Sequence, residues 1–299
     1  MGEAVKPRDV QPTEESGVIQ GIPSGSYPIE SIYGIGRRYS EALRGIGVET
    51  VGEVAKITDI DEFEELLGIP AKVLHMIRLR ALSYISGEIM QAEPFEFPSD
   101  RLIFIDIETD PACRRVWLIG LLVDGWFTQL FADSWDEERL ILEKFQSFLE
   151  THRGYTLVSY SGTSFDYRVT LNAMRRHSLD TTFLEEYPHI DLCTLLRRCF
   201  IFPHHSYALK ELGAYLGYGF RRSELDGLQV SLAYLRHVET GVPLANSILE
   251  YNEDDVRTVK HLIDRCLKLR RCSNVTYLGR VHFDTGRVYV ETKLDPWLQ

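Results

Sequence analysis

The segment RLIFIDIETD, which begins at residue 101, limits the fold of this chain more than any other. Residues 102–107 form an apolar run of strand length, and two acids, Asp106 and Glu108, stand at its end. Two more strand-like runs follow at once, RRVWLIGLLVD and GWFTQLFAD, joined through Asp124-Gly125, a two-residue hairpin signal. Together they predict an antiparallel meander. Next, DEERLILEKFQSFLETH is amphipathic with acids in its first turn, and YTLVSYS is another short apolar run. Strand, helix and strand then alternate, which predicts an α/β architecture. The rest, to about residue 271, reads as mostly helical, clearest in ALKELGAYLGY, LQVSLAYLRHV and SILEYNEDDVRTVKHLIDRCLKL. TYLGRVHF and RVYVETK, flanking Asp284-Thr285-Gly286, predict a terminal hairpin.

Upstream of this region the chain differs in kind. Residues 1–27 hold Pro7, Pro12 and Pro23 without apolar periodicity and read as a mobile leader. Residues 28–92 place apolar positions three and four apart in YSEALRGIG, VGEVAKI, DEFEELLGI and AKVLHMIRLRALSYI, which predicts a small all-α domain. Residues 93–100, with Pro94 and Pro98 among acids, read as a linker, and residues 101–299 form the α/β domain with its C-terminal β-hairpin.

The net charge of −11 is the wrong sign for holding nucleic acid by a global positive field, so any such binding has to be local. The acidity is concentrated early: residues 1–100 carry 9 basic against 17 acidic residues, and residues 101–299 carry 24 against 27. No apolar run reaches the roughly 18 residues of a membrane span, so no membrane association is expected. The polar start MGEAVKPRDVQPTEESG lacks a secretory apolar region, and Lys6 stands where a myristoylation signal takes Ser or Thr. The expected compartment is the cytoplasm. Five cysteines, none spaced CxxC, argue against a disulfide framework and a zinc site and read as reduced, mostly buried thiols.

Side chains two apart on a strand share a face, so the Asp106 and Glu108 carboxylates converge. Burying two anions together is costly, and hard divalent cations with oxygen ligands remove that cost. Alone, a D-x-E triplet also fits a solvated strand end. A third acid, Asp166, follows YTLVSYS and the loop GTS and opens the helical run DYRVTLNAMRRH; helix starts attract acids for structural reasons as well. Tyr251 and Asp255 lie four apart in YNEDD, hence on one helix face. Asp254 is nearly a full turn from Tyr251 too, and only the Y-x-x-x-D spacing selects Asp255.

In this order and context the motifs resemble those of the DEDD superfamily of 3′-to-5′ exonucleases: D-x-E on the first strand, an aromatic-Asp pair at Phe165-Asp166, and Y-x-x-x-D. The resemblance covers roughly residues 101–270 and implies an RNase H-like mixed β-sheet flanked by helices. The fifth residue before Asp255 is Glu250 rather than His, and Tyr251 occupies the place used by the tyrosine (DEDDy) branch. The resemblance further implies a two-metal mechanism with Mg²⁺ or Mn²⁺. Asp106 would bridge both ions, Glu108 and Asp255 would sit on the ion that activates water, and Asp166 would serve the second. Tyr251 would orient the water; packing against the sheet is its other reading. Phosphodiester cleavage needs a nucleophilic water, charge stabilisation at phosphorus and help for the leaving oxygen, and two cations about 4 Å apart supply all three. One departure stands out: members commonly carry Asn a few residues before the aromatic-Asp pair, where this chain has Ser161, Gly162, Thr163 and Ser164. That bears on contact with the terminal nucleotide more than on metal binding.

IESIYGIGRRYSEALRGIGVETVGEV resembles a helix-hairpin-helix motif with Gly34-Ile35-Gly36 as the hairpin. Such a turn brings backbone N–H groups at a helix start close to a phosphate, and Arg37 and Arg38 add charge-assisted donors. Gly34, Gly36, Arg37 and Arg38 are therefore the candidate nucleic-acid contacts. Gly68-Ile69-Pro70, followed by Lys72, Arg78 and Arg80, is a weaker second hairpin. The other reading is a set of tight helix turns in a domain that docks a protein, and residues 28–92 carry seven basic against ten acidic residues.

Arg175, Arg176, Arg197, Arg198, Arg221 and Arg222, with Lys210, are candidates to guide a strand into an acidic cleft, or else ordinary solvated helix ends. His204-His205 lacks a third ligand at metal-site spacing and reads as loop. Tyr207 and Tyr215 read as core aromatics before base-stacking platforms. The expected function is a metal-dependent 3′-to-5′ exonuclease acting on DNA in preference to RNA, on single-stranded ends. The alternatives are an exoribonuclease and a noncatalytic nucleic-acid or protein-binding adaptor on a nuclease fold, against which the intact acids argue.

Overall fold

The computed structural model describes residues 24–96, 101–162, 166–203, 206–272, 280–284 and 287–291. Two 3-10 turns, Ser24–Ser26 and Ile29–Ser31, lead into α1 (Arg37–Gly45), α2 (Val51–Ala55), α3 (Ile60–Leu67) and α4 (Ala71–Ser86). Polar side chains start the helices: Thr50 and Glu53 exchange hydrogen bonds in a capping box, and Asp59 accepts from the Glu62 N–H. Helices this short do not persist alone. They are held by a shared core that includes Ile29, Leu43, Val51, Val54, Leu74 and Ile77.

Two expectations for this region are corrected. Residues 24–27 belong to the helical unit rather than to the leader, because Tyr27 packs edge-on against Tyr84 and its carbonyl accepts from the Val51 N–H. Residues 28–92 are also not helical throughout. α4 stops where Gly87 takes left-handed backbone (φ 69°), and Ile89–Gln91 form strand β1. Residues 1–23 and the linker positions 97–100 lie outside the described residues.

The meander forms as β2 (Leu102–Thr109), β3 (Val116–Val123) and β4 (Trp126–Phe131). Asp124 and Gly125 both take positive φ, 49° and 86°, as a tight hairpin turn requires. Then come α5 (Glu138–Thr151), β5 (Thr156–Ser159), α6 (Asp166–Arg176), α7 (Thr182–Glu186), β6 (His189–Asp191), α8 (Leu192–Cys199), β7 (Phe200–Ile201), α9 (Leu209–Tyr215), α10 (Gly227–Thr240) and α11 (Asn246–Cys272). The main sheet has the order β4-β3-β2-β5-β6, with β5 and β6 parallel to β2 and the meander antiparallel. This is the RNase H-like mixed sheet flanked by helices. Ile103, Ile105 and Ile107 pack with Ile141, Leu142 and Phe145 of α5. Phe104 faces the other way, into a cluster with Val256, Val259 and Leu262 of α11. Alternation therefore sends Asp106 and Glu108 to the α11 side.

A second sheet, β7-β1-β8-β9, joins the two halves of the chain, with the predicted terminal hairpin supplying β8 (Arg280–Asp284) and β9 (Arg287–Glu291). Its tip, Thr285-Gly286, lies outside the described residues. β1 pairs antiparallel with both β7 and β8. These partners lie more than a hundred residues downstream, and local helical periodicity carries no trace of them. Among the described cysteines, Cys193, Cys199 and Cys266 are buried free thiols and Cys113 is exposed.

Candidate active site

Three elements deliver the acids. Asp106 and Glu108 lie on β2 opposite Gly120 and Leu118 of β3, and the regular ladder breaks just after Glu108, at a register shift before Thr109. The Thr109 carbonyl is taken up by the indole N–H of buried Trp117 at 3.0 Å, which anchors the strand end. Asp166 is the first residue of α6, directly beyond the loop that leaves β5. Tyr251 and Asp255 come from consecutive turns of α11, both buried, as is Glu108. Phe165, Thr163 and Ser164 lie outside the described residues.

The electrostatics are those of crowded anions in a dry setting. Burial, then the charges of Glu108, Asp255 and Asp166, push the Asp106 carboxyl well above the usual carboxylate range. Burial and the charges of Asp255 and Asp166 do the same to Glu108. Asp166 rises to about 7 through burial and the nearby Asp191. Asp255 also rises to about 7, burial outweighing the opposing pull of Lys210 and of a hydrogen bond from Tyr251. The Tyr251 phenol is pushed upward by burial and by Asp255, Glu108 and Asp106, so it keeps its proton.

Two neighbouring acids on α11 have different fates. Asp254 is buried and consumed: it accepts from the Arg221 side chain at 2.8 Å and from the Arg221 and Arg222 backbone N–H groups. Asp255 turns toward the other acids, and its Oδ1 is buried without a hydrogen-bond partner.

Lys210 of α9 completes the site. Its ammonium lies 4.4 Å from the centre of the Tyr251 ring, and it donates to the carbonyls of Arg222 and Leu225. It thereby ties the loop before α10 to the face that carries Tyr251. That loop ends at Gly227, where a Cβ would stand 4.0 Å from the Tyr251 hydroxyl. The loop after β5 is equally tight: Ser161 takes a positive φ of 60°, and a Cβ on Gly162 would fall 2.1 Å from Ser159 Oγ and 2.8 Å from Asp166 Oδ2. Only glycine fits between β5 and the Asp166 carboxylate.

Sequence reasoning missed Asn252, Gln129 and Asp191. Asn252 is fully buried and donates to Asp106 Oδ2 at 2.8 Å. Its one signal was adjacency to Tyr251. Asp191 caps α8 and accepts from the Ser161 N–H, which anchors the backbone just beyond β5. The paired arginines prove mostly engaged: Arg175 with Glu185, Arg176 with buried Glu138, Arg198 with Glu93, Arg221 with Glu253 and Asp254, and Arg222 with Glu250. Arg197 lies over the Tyr207 ring, and Tyr207 is buried with its hydroxyl donating to the Phe200 carbonyl, a packing role. His204-His205 lies outside the described residues.

In the N-terminal unit, Gly34, Gly36, Arg37 and Arg38 are all exposed. Gly34 has φ 78°, and the Arg80 guanidinium lies where its Cβ would be. Gly36 is the N-cap of α1 and has open space around it. Arg37 pairs with Glu41 on the surface. Beside the hairpin, the Tyr33 ring lies 6.0 Å from that of Tyr207, whose carbonyl accepts from Tyr160, the residue immediately after β5.

Among the described residues no three His, Cys, Asp or Glu side chains are grouped at metal-coordinating separation. The chemistry of the donor set nevertheless fits divalent cations. It is all carboxylate oxygen, held in a protonation balance that a cation would tip, and it contains a buried carboxylate oxygen without a partner. No described helix is long and apolar enough to cross a membrane.

A mixed five-stranded sheet whose central strand carries two acids, faced by an acid from a flanking helix, defines an RNase H-like protein. The comparison of families agrees: the RNase_H_2 family model matches residues 103–267, and the chain belongs to the RNase_H superfamily. No curated protein matches the chain. Among solved structures, it is similar to the family B DNA polymerase from the hyperthermophilic archaeon Pyrobaculum calidifontis, at 17% identity and a TM-score of 0.48. The match covers 74% of this chain and 35% of the polymerase chain, so this chain spans about a third of that protein's length.

Proposed function

We propose that this protein is a 3′-to-5′ exonuclease of the tyrosine-bearing DEDD type, which hydrolyses DNA from single-stranded ends with two divalent cations, Mg²⁺ or Mn²⁺. The observation that carries the reading is the convergence of Asp106, Glu108, Asp166 and Asp255 in a buried cluster, where the Asp255 carboxyl accepts from Tyr251 and keeps its Oδ1 without a partner. Superfamily membership supports a nucleic-acid substrate; direction and the tyrosine subtype rest on the order and spacing of the motifs.

Asp106 would serve both cations, Glu108 and Asp255 one of them, and Asp166 the other. Bound there, the cations supply Lewis-acid activation of a water and stabilise charge on the phosphate and the leaving oxygen. Tyr251 stays neutral at working pH, so its hydroxyl is able to orient that water. Lys210 holds the Tyr251 ring from one side and fastens the loop that carries Gly227.

The N-terminal unit would tether the substrate as a helix-hairpin-helix module, Gly34 and Gly36 admitting a phosphate and Arg37 and Arg38 supplying charge. The Tyr33–Tyr207 contact supports a path on the side of the loop that leads to Asp166. The test is cleavage of end-labelled single-stranded and duplex DNA and RNA in Mg²⁺, Mn²⁺ and chelator. Metal-dependent shortening of DNA from the 3′ end is the expected result. Preference for RNA would make it an exoribonuclease, and binding without cleavage in either metal would make it an adaptor.

A further inference from the structure

Asp106, Gly120 and Gln129 form one rung across β2, β3 and β4: Asp106 is the register partner of Gly120, and Gly120 that of Gln129. The middle position carries no side chain, and Asn252 of α11 fills the space. A Cβ on Gly120 would fall 2.2 Å from Asn252 Oδ1. Asn252 thus spans the two outer members of the rung. Its Oδ1 accepts from Gln129 Nε2 at 3.0 Å, and its Nδ2 donates to Asp106 Oδ2 at 2.8 Å and to the Asp106 carbonyl at 3.3 Å.

The amide orientations are set by the network, since a flip exchanges donors for acceptors. Gln129 Nε2 has two hydrogens and faces two acceptors, Asn252 Oδ1 and the Leu249 carbonyl at 2.9 Å. Turning Gln129 over would aim an oxygen at two oxygens. With Gln129 fixed, Asn252 is fixed too, and its NH₂ must face Asp106. One oxygen of Asp106 is therefore held by the protein, which leaves the other to face outward.

We propose that Gln129 and Asn252 are positioning residues that aim the Asp106 carboxylate at the cations, an assignment that rests on the two-cation reading above. Their contribution is orientation, because neither carries charge and their amides are spent on one another, on the Leu249 carbonyl and on Asp106. Groups that orient a metal ligand typically affect metal affinity by about 10- to 100-fold.

Gln129→Glu is the discriminating variant, since β4 is an edge strand and Gln129 is only half-buried. Glutamate would accept from Asn252, turn the amide over and aim its Oδ1 at Asp106. A bare electrostatic argument gives the opposite sign, because an added anion near the site attracts cations. Mn²⁺ binding is read by the electron paramagnetic resonance of free Mn²⁺ on the whole protein without nucleic acid, alongside the metal-free melting temperature. The expected result is a 10- to 100-fold weaker Mn²⁺ affinity in Gln129→Glu, a smaller loss in Gln129→Met, and a nuclease KM for DNA that does not move once Mn²⁺ is saturating for each variant. Asn252→Ala and Gly120→Ala should reproduce the affinity loss wherever they fold. Unchanged or tighter Mn²⁺ binding in folded Gln129→Glu overturns the clamp while leaving the nuclease reading intact. A wild-type protein that binds no Mn²⁺ overturns the underlying reading and the clamp with it.

Discussion

Asp254 and Asp255 are adjacent on α11 and point into opposite environments, the first into Arg221 and two backbone N–H groups, the second into the acid cluster with one oxygen unpartnered. The consequences of removing them should separate cleanly. Asp255→Ala is expected to lower cleavage at least ~10²-fold, as removal of one preorganised stabiliser does, while the metal-free protein stays folded or gains stability from relieved repulsion. Asp254→Ala should leave chemistry in the residual folded protein but cost about 1–3 kcal/mol, since it removes the charged acceptor of the Arg221 side chain and of two backbone N–H groups. Single-turnover rates and urea melts on both variants measure this. A catalytic loss confined to Asp254→Ala would reassign the site.

The same acids make a statement about pH. Asp166 and Asp255 ionise near 7 in the folded chain and near 4 when unfolded. Between those values the native state holds protons that the unfolded state has released, so without cation stability falls as pH rises through that window, and the loss is complete above about 7. The melting temperature in chelator should therefore be lower at about pH 8 than at about pH 5. Saturating Mn²⁺ should remove or invert the trend, because the cation binds the ionised native form. A chelated protein that melts higher at the upper pH would show that the carboxylates do not crowd as described.

The hairpin prediction depends on where the chain is cut. Deletion of residues 1–92 would remove β1, which pairs with β7 and β8, and so confound tethering with folding. Point changes avoid this. Gly36 has open space around its Cβ position and ordinary backbone (φ −90°), so Gly36→Val should fold. Gly34→Val should not be tolerated, given φ 78° and Arg80 against it. Gly36→Val combined with Arg37→Ala and Arg38→Ala is expected to raise KM on long strands several-fold and to spare short oligonucleotides. Equal KM on both lengths would make the hairpin a structural turn or a protein-docking element.

How much of this was legible in the sequence follows the range of each interaction. Strand alternation alone puts Asp106 and Glu108 on one face, and helical spacing alone puts Tyr251 and Asp255 together, because both patterns are local. The Gln129–Asn252 bond joins residues 123 apart, and no local pattern announces it. β1 was illegible for the same reason. The arginine pairs mislead in a related way: a run of like charge predicts exposure, but only tertiary packing decides which acids it meets. Arg221 and Arg222 meet three on one helix.

Tyr251→Phe separates an oriented water from a packed ring, because it removes one oxygen and leaves the ring under Lys210. The hydroxyl lies among Asp255, Glu108 and Asp106 and stays protonated, so its use in the reaction would be to hold the attacking water rather than to ionise. An interaction made mainly in the transition state lowers kcat without weakening substrate binding. The expected loss is about 10²- to 10⁴-fold, the range of positioned proton-handling groups. Mn²⁺ affinity should change little, in contrast with Gln129→Glu, because no cation ligand moves. Single-turnover cleavage with saturating Mn²⁺ decides the matter. If Tyr251→Phe cuts at the wild-type rate, the ring serves Lys210 and the sheet, the hydroxyl is idle, and the water must be held by the acids themselves.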